Sequence, residues 1–430
     1  MERVNIETER QDLFDVSIVI AMRFHISGNV SNDGIRDAFD RAVRSHEILG
    51  TKVKIDDDNV AYYERPDNSD SSIVTDKSSF TRNIISFEES GWQDILQREE
   101  KKRFRIEDGE FIRGFVYSST DDTNVESNDK GVNILLMMHH LGGDGKSLVY
   151  FIETFMKCLS GNDSEFLEMR TIPAGDLSDK ALMDRVGPLA LVPKIFNKKW
   201  KKDSKRQEFS FEDMDKAYEE YWDTRESDVK EYVISPEMTA KILDRCKEWN
   251  IGFTAYITTA FLRRMGRKLD IGYAVDAREN GNKSMGNQAT GISIKYAYNY
   301  EKTFRKNAEK VQSLMTKKLE DDGARNFILP FMAAFEPSLV DAINLEHADT
   351  FNSKTSGKLA EILGYRKKTK DLSITNLTKL DISDTYGNLK IDYFAFIPPV
   401  VSYGRNIIGL STLGECTVMT IHRIKKIDNT

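Results

Sequence analysis

The chain has 430 residues, 40% of them hydrophobic and 30% charged, with a formal net charge of −7. This length predicts two domains, and the interspersed charges argue against a nucleic-acid partner. The longest apolar runs have the length of strands and are too short for a membrane span. The N-terminal segment lacks the pattern of a signal peptide, and the three cysteines are far apart, so we expect a cytoplasmic protein without disulfides.

The first third of the sequence predicts strands that alternate with helices. Apolar and β-branched residues over 17–26 predict a strand, and Ser31 precedes apolar residues at helical spacing, which predicts a capped helix. An acidic stretch over 118–130 is typical of an exposed hairpin loop. Further strands are predicted at 51–55, 111–117 and 132–138, and a buried helix at 148–159.

The rest of the chain repeats this pattern after a change of composition. Residues 171–228 carry basic runs and scattered prolines, which indicates a crossover segment that is partly helical near 214–222. Ser235 and Pro236 predict the start of a helix after a strand. Strands are predicted at 232–234, 271–275, 372–375, 389–396 and 416–422, and a further helix at 254–267. The predicted fold class is therefore α/β with mixed sheets.

The most informative segment is LLMMHHLGGDGKSLVYFIETF, residues 135–155. A buried strand ends in His139-His140, turns through three glycines around Asp144, and enters a helix near Lys146. Histidine can take up and return a proton near neutral pH, and strand-to-helix loops often carry catalytic groups. His140 is therefore a candidate general base.

Three other interpretations of this segment remain open on the residues alone. His139 and His140 alternate across the strand end, so one can pack in the core while the other faces solvent. His140 and Asp144 could ligate a metal, but no third ligand stands at motif spacing, and no metal site is predicted. The glycines could form a phosphate-binding turn, but GxxxxGK[ST] is absent and Asp144 would repel phosphate.

His139 to Gly145 form an HHxxxDG motif, which resembles that of the chloramphenicol acetyltransferase-like superfamily. This superfamily includes the condensation domains of peptide synthetases and many alcohol acyltransferases. Other segments resemble further family elements in the same order, so the resemblance covers nearly the whole chain. They are AVRSHEILGTKV (42–53), FRIEDGEFIRGFVY (104–117), YAVDARENGNKSMGN (273–287) and LSITNLTKLD (372–381).

The resemblance implies two chloramphenicol acetyltransferase-like domains that form a V-shaped pseudo-dimer with a channel at the interface. The N-terminal domain, residues 1–175, would carry the motif, and a crossover, 176–228, would lead to the C-terminal domain, 229–430. The resemblance also implies an enzyme that transfers an acyl group from a thioester to a hydroxyl or amine. Donor and acceptor would enter the channel from opposite faces.

The resemblance assigns roles to single residues of the motif and of later segments. His140 would be the general base, while Asp144 would pair with Arg278 and hold the loop in shape. His139 and Gly145 would support the same loop. Candidate oxyanion or channel groups are Gly143, Ser402, Tyr403 and Asn287.

The expected donor is acyl-CoA, and no permanently bound cofactor is expected. The DFGWG motif of plant acyltransferases and the YxDFAVW motif of condensation domains are not found, and no carrier or adenylation domain is attached. These features favour a free-standing acyltransferase, in which basic residues over 198–206 could contact CoA phosphates. One alternative is a condensation enzyme that takes acyl groups from the phosphopantetheine of a carrier protein. Another is a non-catalytic homologue that acts as a binding module.

Overall fold

The structure is a computed structural model of the chain. It describes residues 3–65, 80–117, 131–172, 189, 191–279, 281–366 and 369–427. The predicted hairpin loop at 118–130 lies outside these ranges. Within them, none of the helices is both long and apolar enough to cross a membrane.

Strands and helices alternate through the described part of the chain. The strands are β1 (Arg3–Asn5), β2 (Val19–Ser27), β3 (Lys52–Ile55), β4 (Ala61–Glu64), β5 (Ile84–Glu88), β6 (Ile112–Tyr117), β7 (Gly131–His139), β8 (Arg225–Ile234), β9 (Leu269–Asp276), β10 (Ala289–Tyr296), β11 (Leu372–Lys379), β12 (Thr385–Tyr386), β13 (Leu389–Ile397), β14 (Ile407–Leu413) and β15 (Cys416–Lys426). The α-helices are α1 (Arg10–Leu13), α2 (Asn32–Arg44), α3 (Trp92–Glu100), α4 (Gly145–Leu159), α5 (Leu191–Trp200), α6 (Phe211–Trp222), α7 (Pro236–Trp249), α8 (Phe253–Met265), α9 (Phe304–Leu319), α10 (Asp322–Asn326), α11 (Ile328–Ala333), α12 (Pro337–His347) and α13 (Lys354–Leu363).

The first large sheet contains the strand that leads into the HHxxxDG motif. Its order is β12-β13-β2-β7-β6-β5, and all neighbours pair antiparallel except β5 and β6. The central strands β2 and β7 pair from Val19 opposite His139 to Ser27 opposite Gly131. β2 is buried over nearly its whole length and β7 over its last six residues. Burial of both faces explains why their sequences are continuous apolar runs.

The second large sheet has the order β10-β9-β11-β14-β15-β8. Its β11 runs parallel to β9 and β14, and the other neighbours are antiparallel. A small antiparallel sheet, β1-β4-β3, is the third sheet of the described residues. Two mixed six-stranded sheets with helices between their strands confirm the predicted α/β class.

Strand β13 connects the two large sheets although it comes late in the chain. It pairs antiparallel with β2 of the first sheet. The carbonyl oxygen of its Phe396 accepts a hydrogen bond from the Thr420 hydroxyl in β15 at 2.5 Å. A Cβ at Gly409 in β14 would lie 2.4 Å from the same oxygen, so glycine permits this close approach. The division into residues 1–175, 176–228 and 229–430 stays a prediction, since a strand of the last segment completes the sheet of the first.

Helix starts follow the local signals in the sequence. Ser31 caps α2 and Ser235 caps α7, in each case through a side chain that accepts a backbone N–H of the first turn. Asp144 caps α4 by accepting the Ser147 N–H at 3.0 Å. The carboxylate of the motif therefore also fixes the point where the helix begins.

The predicted crossover segment contains more regular structure than its composition indicated. Helices α5 and α6 both lie within it, and Met214 and Tyr218 of α6 are buried in the main core. Helix α5 was not predicted, because its three buried residues are separated by lysines and by apolar residues that stay exposed. Those buried residues are Pro193, Phe196 and Trp200.

Candidate active site

The HHxxxDG motif lies between β7 and α4. His139 ends the strand, and His140–Gly142 form a short 3₁₀ turn. The His140 N–H donates to the Ile18 carbonyl, and the Gly143 N–H donates to the His140 carbonyl, so both ends of the turn are fixed. Gly143 has a φ of 147°, and a Cβ there would lie 2.4 Å from the Ser147 Cβ. The turn therefore requires glycine at this position.

His139 is fully buried and makes contacts within the protein. Its Nδ1 accepts the Leu141 N–H at 3.1 Å, and its ring lies edge-on to Phe104. Burial, together with the nearby charge of His140 and of two arginines, lowers the pKa of His139 to about 3. The ring is therefore neutral, and its proton lies on Nε2, because an acceptor nitrogen carries none. This geometry suits support of the strand end.

His140 is partly accessible, with 15% of its side chain exposed. Its Nδ1 is buried and lies 3.8 Å from the Asp12 Oδ2 atom, with no hydrogen-bond partner among the described residues. Its Nε2 also makes no hydrogen bond with the described part of the chain, but it is not enclosed. The two nitrogens thus have different surroundings, and Nε2 is the one available to exchange a proton with a substrate.

Asp144 and Arg278 make the contact that the resemblance implied. Arg278 Nη1 donates to Asp144 Oδ2 and Nη2 donates to Oδ1, both at 2.8 Å. The side chains are only 6% and 3% exposed. Burial acts to raise the pKa of Asp144, but the Arg278 charge and hydrogen bonds, with the amides of Ser147 and Gln288, outweigh it and lower the pKa. Asp144 is therefore ionised at neutral pH.

Ser147 and Gly286 tie this ion pair to the segment after β9. Arg278 Nη2 donates to the Ser147 hydroxyl at 2.7 Å, and that hydroxyl donates to the Gly286 carbonyl at 2.9 Å. Gly286 has a φ of 138°, and a Cβ there would lie 2.0 Å from the Arg170 carbonyl oxygen. The start of α4 is thus hydrogen-bonded to residues 278–286, and glycine is required at position 286, where the backbone passes close to Arg170.

Gly145 ends the motif, and Asn287 follows Gly286 in the segment that contacts it. A Cβ at Gly145 would lie 3.0 Å from Leu377 and 3.1 Å from Phe396, so glycine lets the helix start approach β11 and β13. Asn287 donates through Nδ2 to Asp12 Oδ2 at 2.9 Å. Asn287 therefore contacts the carboxylate that faces His140, while its predicted place in a channel wall stays a prediction.

Two of the three predicted oxyanion donors are engaged within the protein. The Gly143 N–H donates to the His140 carbonyl. Ser402 is buried, and its N–H and hydroxyl both donate to Asp15 Oδ2, at 3.1 and 2.8 Å. Burial, with the charges of Asp12 and Asp15, raises the pKa of the Tyr403 phenol, so it keeps its proton. Only Tyr403 therefore retains a side-chain donor without an acceptor among the described residues.

Asp12 was not predicted as a site residue. It lies in α1, within the segment TERQDLFD, whose mixed charges are typical of an exposed surface. In the structure the segment is buried, and the apolar pair Leu13 and Phe14 was the one local signal for this. Its proximity to His140 arises from the fold and from no spacing in the sequence.

Glu9 and Asp12 form a buried acidic pair beside the motif. Burial and the charge of Asp12 raise the pKa of Glu9 to about 8, although hydrogen bonds from Asn287 and Tyr63 act to lower it. Burial also raises the pKa of Asp12 to about 6, while His140 and Asn287 act in the opposite direction. Glu9 therefore keeps its proton to a higher pH than Asp12, and Asp12 is the member of the pair that ionises first.

The described residues include no cluster of three or more His, Cys, Asp or Glu side chains that could hold a metal ion. The acid and base groups of the site are instead His140, Asp12, Glu9 and the Tyr403 phenol. These groups can bind and transfer protons. They can also stabilise charge that develops on a bound molecule.

Comparison with known proteins connects this geometry to a fold. No family model matches the sequence, and no curated protein shows significant similarity to it. Among solved structures, the chain is similar to the TRI3 trichothecene 15-O-acetyltransferase from Fusarium sporotrichioides, with a TM-score of 0.60 and 11% identity, covering 98% of this chain and 90% of that one.

Two condensation domains show the same similarity. One belongs to the Monacolin K polyketide synthase MokA, with a TM-score of 0.59, 11% identity, and coverage of 98% of this chain and 92% of that one. The other is the first condensation domain of the CDA synthetase, with a TM-score of 0.57, 12% identity, and coverage of 97% and 87%. At these identities the likeness concerns the fold, and the V shape and channel stay predictions. The chain has the chloramphenicol acetyltransferase-like fold of condensation domains and a trichothecene acetyltransferase, as its sequence predicted.

Proposed function

We propose that this protein is an acyltransferase that moves an acyl group from a thioester to a hydroxyl or amine acceptor, with His140 as the general base. The observation that carries the proposal is the placement of His140. It follows the central strand β7, exposes Nε2, and directs its buried Nδ1 toward a carboxylate. The similar solved structures include an acetyltransferase and condensation domains, which supports acyl transfer in this fold.

The proposed reaction begins with removal of the acceptor proton by His140 Nε2. The acceptor oxygen or nitrogen then bonds to the thioester carbonyl carbon and forms a tetrahedral oxyanion. As this intermediate collapses, the carbon–sulfur bond breaks and the imidazolium returns its proton to the leaving thiolate. General-base assistance contributes about 10²–10⁴-fold to such reactions. Substrate positioning and stabilisation of the oxyanion must supply the remainder.

The groups around His140 fit this chemistry. The Asp144–Arg278 pair fixes the first turn of α4 without using any atom of the His140 ring. The protonated Tyr403 hydroxyl is a better candidate than Gly143 or Ser402 for the oxyanion donor, because the other two donate elsewhere. We therefore assign Asp144 and Arg278 to the shape of the loop, and Tyr403 to charge stabilisation.

Acyl-CoA is the proposed donor. A native-state ligand stabilises a protein by mass action, and at 100 times its dissociation constant the gain is about 2.7 kcal/mol. Millimolar CoA should therefore raise the unfolding temperature measurably. A set of acyl-CoAs tested against alcohols and amines, with detection of the acylated product by mass spectrometry, would then identify the substrates.

Replacement of His140 tests the proposed mechanism directly. His140→Ala and His140→Gln should each lower kcat by about 10²-fold or more, because both remove the proton acceptor. Thermal unfolding and CoA binding should stay close to those of the native protein, since the side chain makes no hydrogen bond with the described residues. Near-native turnover in a folded His140→Ala protein would contradict the mechanism.

A carrier-protein donor is the second candidate. It is favoured by the similarity to condensation domains and to part of a four-domain nonribosomal peptide synthetase, of which the chain covers 31%. The phosphopantetheine arm of a carrier would present the same thioester chemistry to His140. Absence of a thermal shift with CoA, together with acyl transfer from a loaded carrier protein, would favour this donor over acyl-CoA.

A further inference from the structure

We infer that Asp12 is a positioning residue for His140, an assignment that rests on the proposed function. Its carboxylate would hold the proton of the neutral imidazole on Nδ1, keep Nε2 free as the base, and stabilise the imidazolium that forms. Asp12 Oδ2 lies 3.8 Å from His140 Nδ1. A closure of about 1 Å would bring this contact to hydrogen-bond length, and catalytic hydrogen bonds are often long before substrate binds.

The surroundings of the Nδ1 atom provide no competing acceptor in the described part of the chain. This atom is buried and has no hydrogen-bond partner among the described residues. The carbonyl of His140 itself accepts the Gly143 N–H and makes no hydrogen bond with the ring. A buried imidazole N–H without an acceptor is costly, so the carboxylate at 3.8 Å is the group that can satisfy it.

The position of Asp12 is fixed by its surroundings. Its neighbour Arg10 makes two hydrogen bonds to Asp341 in α12, at 2.8 and 2.5 Å, and both side chains are almost fully buried. Asn287, in the segment that crosses the start of α4, donates to Asp12 Oδ2 at 2.9 Å. The short helix α1 is therefore anchored on one side, and the carboxylate is oriented on the other.

The nearby carboxylates differ from Asp12 in their hydrogen bonding. Asp15 accepts the N–H and hydroxyl of Ser17 and the N–H and hydroxyl of Ser402. Glu9 accepts from the Tyr63 hydroxyl. Asp12 has one side-chain donor, Asn287, and the Oδ2 atom that accepts it is also the atom that lies 3.8 Å from His140 Nδ1. In a buried site with little solvent screening, a carboxylate at this distance can stabilise positive charge that develops on the ring during the reaction.

The role follows from the path of the proton in the proposed reaction. When Nε2 takes the acceptor proton, the positive charge spreads to the Nδ1–H beside Asp12. When the carbon–sulfur bond breaks, the proton leaves Nε2 for the thiolate. In this role Asp12 takes up no proton, and it acts by holding the tautomer and lowering the energy of the charged state.

The tautomer of His140 provides a test that needs no substrate. At a pH where the His140 ring of the native protein is neutral, ¹⁵N NMR should show its proton on Nδ1. His140→Gln would identify the signal among the six histidines. In Asp12→Asn, an amide donor can face Nδ1, so the Nε2–H form should increase. A native ring with its proton on Nε2 would overturn the inference, whether or not the variant folds.

Kinetics provide the second arm of the test. Asp12→Asn should lower kcat at least tenfold with KM within about threefold, because the charge acts on the imidazolium and not on substrate binding. Asp12→Glu keeps the charge and should recover part of the rate. The matched control is Asp392→Asn, which removes a carboxylate 2.6 Å from His25 Nδ1 in the same sheet, and should leave kcat within twofold.

The two arms separate the inference from the proposed function. In one outcome, no thioester gives product, but the native His140 carries its proton on Nδ1 and Asp12→Asn shifts that proton to Nε2. This outcome would refute the proposed acyltransferase function and support the interaction between Asp12 and His140. An unchanged tautomer and an unchanged kcat in Asp12→Asn would overturn the role of Asp12 while leaving the function intact.

Discussion

Replacement of Asp144 and Arg278 by alanine, singly and together, tests whether this pair fixes the motif. Each side chain is almost fully buried, and the two share parallel hydrogen bonds of 2.8 Å. Removal of one partner from a buried pair leaves the other charge without compensation, which costs about 3–5 kcal/mol. Asp144→Ala should cost about 1 kcal/mol more than Arg278→Ala, because Asp144 also caps α4.

The double variant should lose less stability than the sum of the two single variants. In a single variant, the remaining charge is buried without its partner, and removing that charge as well removes this cost. We therefore expect a coupling energy of about 1–3 kcal/mol between the two substitutions. Denaturant unfolding, followed through the fluorescence of the four tryptophans, measures the free energies of all four proteins. Activity should fall in every variant, because the turn that carries His140 loses its support.

The pair Glu153 and Lys283 provides a matched control. Its nitrogen–oxygen distance is 2.6 Å, but Lys283 is 38% exposed, so the same double-mutant cycle should give less than about 1 kcal/mol of coupling. Additive losses for Asp144 and Arg278, within about 0.5 kcal/mol, would refute the reasoning. They would mean that the two charges do not depend on each other in the folded protein.

Two further predictions concern residues around the motif. Burial raises the pKa of Glu9 from 4.5 to about 8, so between these pH values the folded protein binds the Glu9 proton more tightly than the unfolded chain does. The free energy of unfolding should therefore fall as pH rises from 4.5 to about 8, by up to about 1.4 kcal/mol per pH unit. Glu9→Gln should remove this fall, and denaturant unfolding at several pH values would show an unchanged slope if Glu9 were not responsible. Gly286→Ala should cost at least about 2 kcal/mol, since a Cβ would lie 2.0 Å from the Arg170 carbonyl oxygen at a φ that alanine disfavours. The control is Gly91→Ala, because a Cβ at Gly91 would have no atom within 4 Å outside the adjacent residues. This substitution should cost less than about 1 kcal/mol in the same unfolding assay.

Local signals predicted the elements that carry the motif. The apolar runs of β2 and β7 and the caps at Ser31 and Ser235 depend on a few neighbouring residues, and each of them lies where the sequence placed it. The contact between Asp144 and Arg278, 134 residues apart, came only from the family resemblance. Its geometry in the structure agrees with that expectation.

Other parts of the fold and site depend on tertiary contacts that no local pattern reveals. Between 304 and 363 no helix was predicted, yet α9 to α13 lie there. The sequence around Asp12 is typical of a charged surface segment. Asp12 is nevertheless buried, because its neighbour Arg10 donates hydrogen bonds to Asp341 on a helix that is distant in sequence. The sequence predicts a free Ser402 hydroxyl in a loop. In the structure this hydroxyl donates its hydrogen bond to Asp15. The burial of Asp12 and the engagement of Ser402 are each decided by a contact between residues more than 300 positions apart.

The late position of β13 affects how the protein is made. On the ribosome, β2 and β7 emerge early, but the partner on the other edge of β2 follows about 250 residues after His139. At synthesis rates of about 5–20 residues per second, that edge waits for roughly 12–50 s. An unpaired apolar strand is a template for association with other chains, so this interval is when the nascent protein most needs protection. The HHxxxDG motif is complete by residue 145, but the sheet that carries it gains its last strands only near the end of the chain.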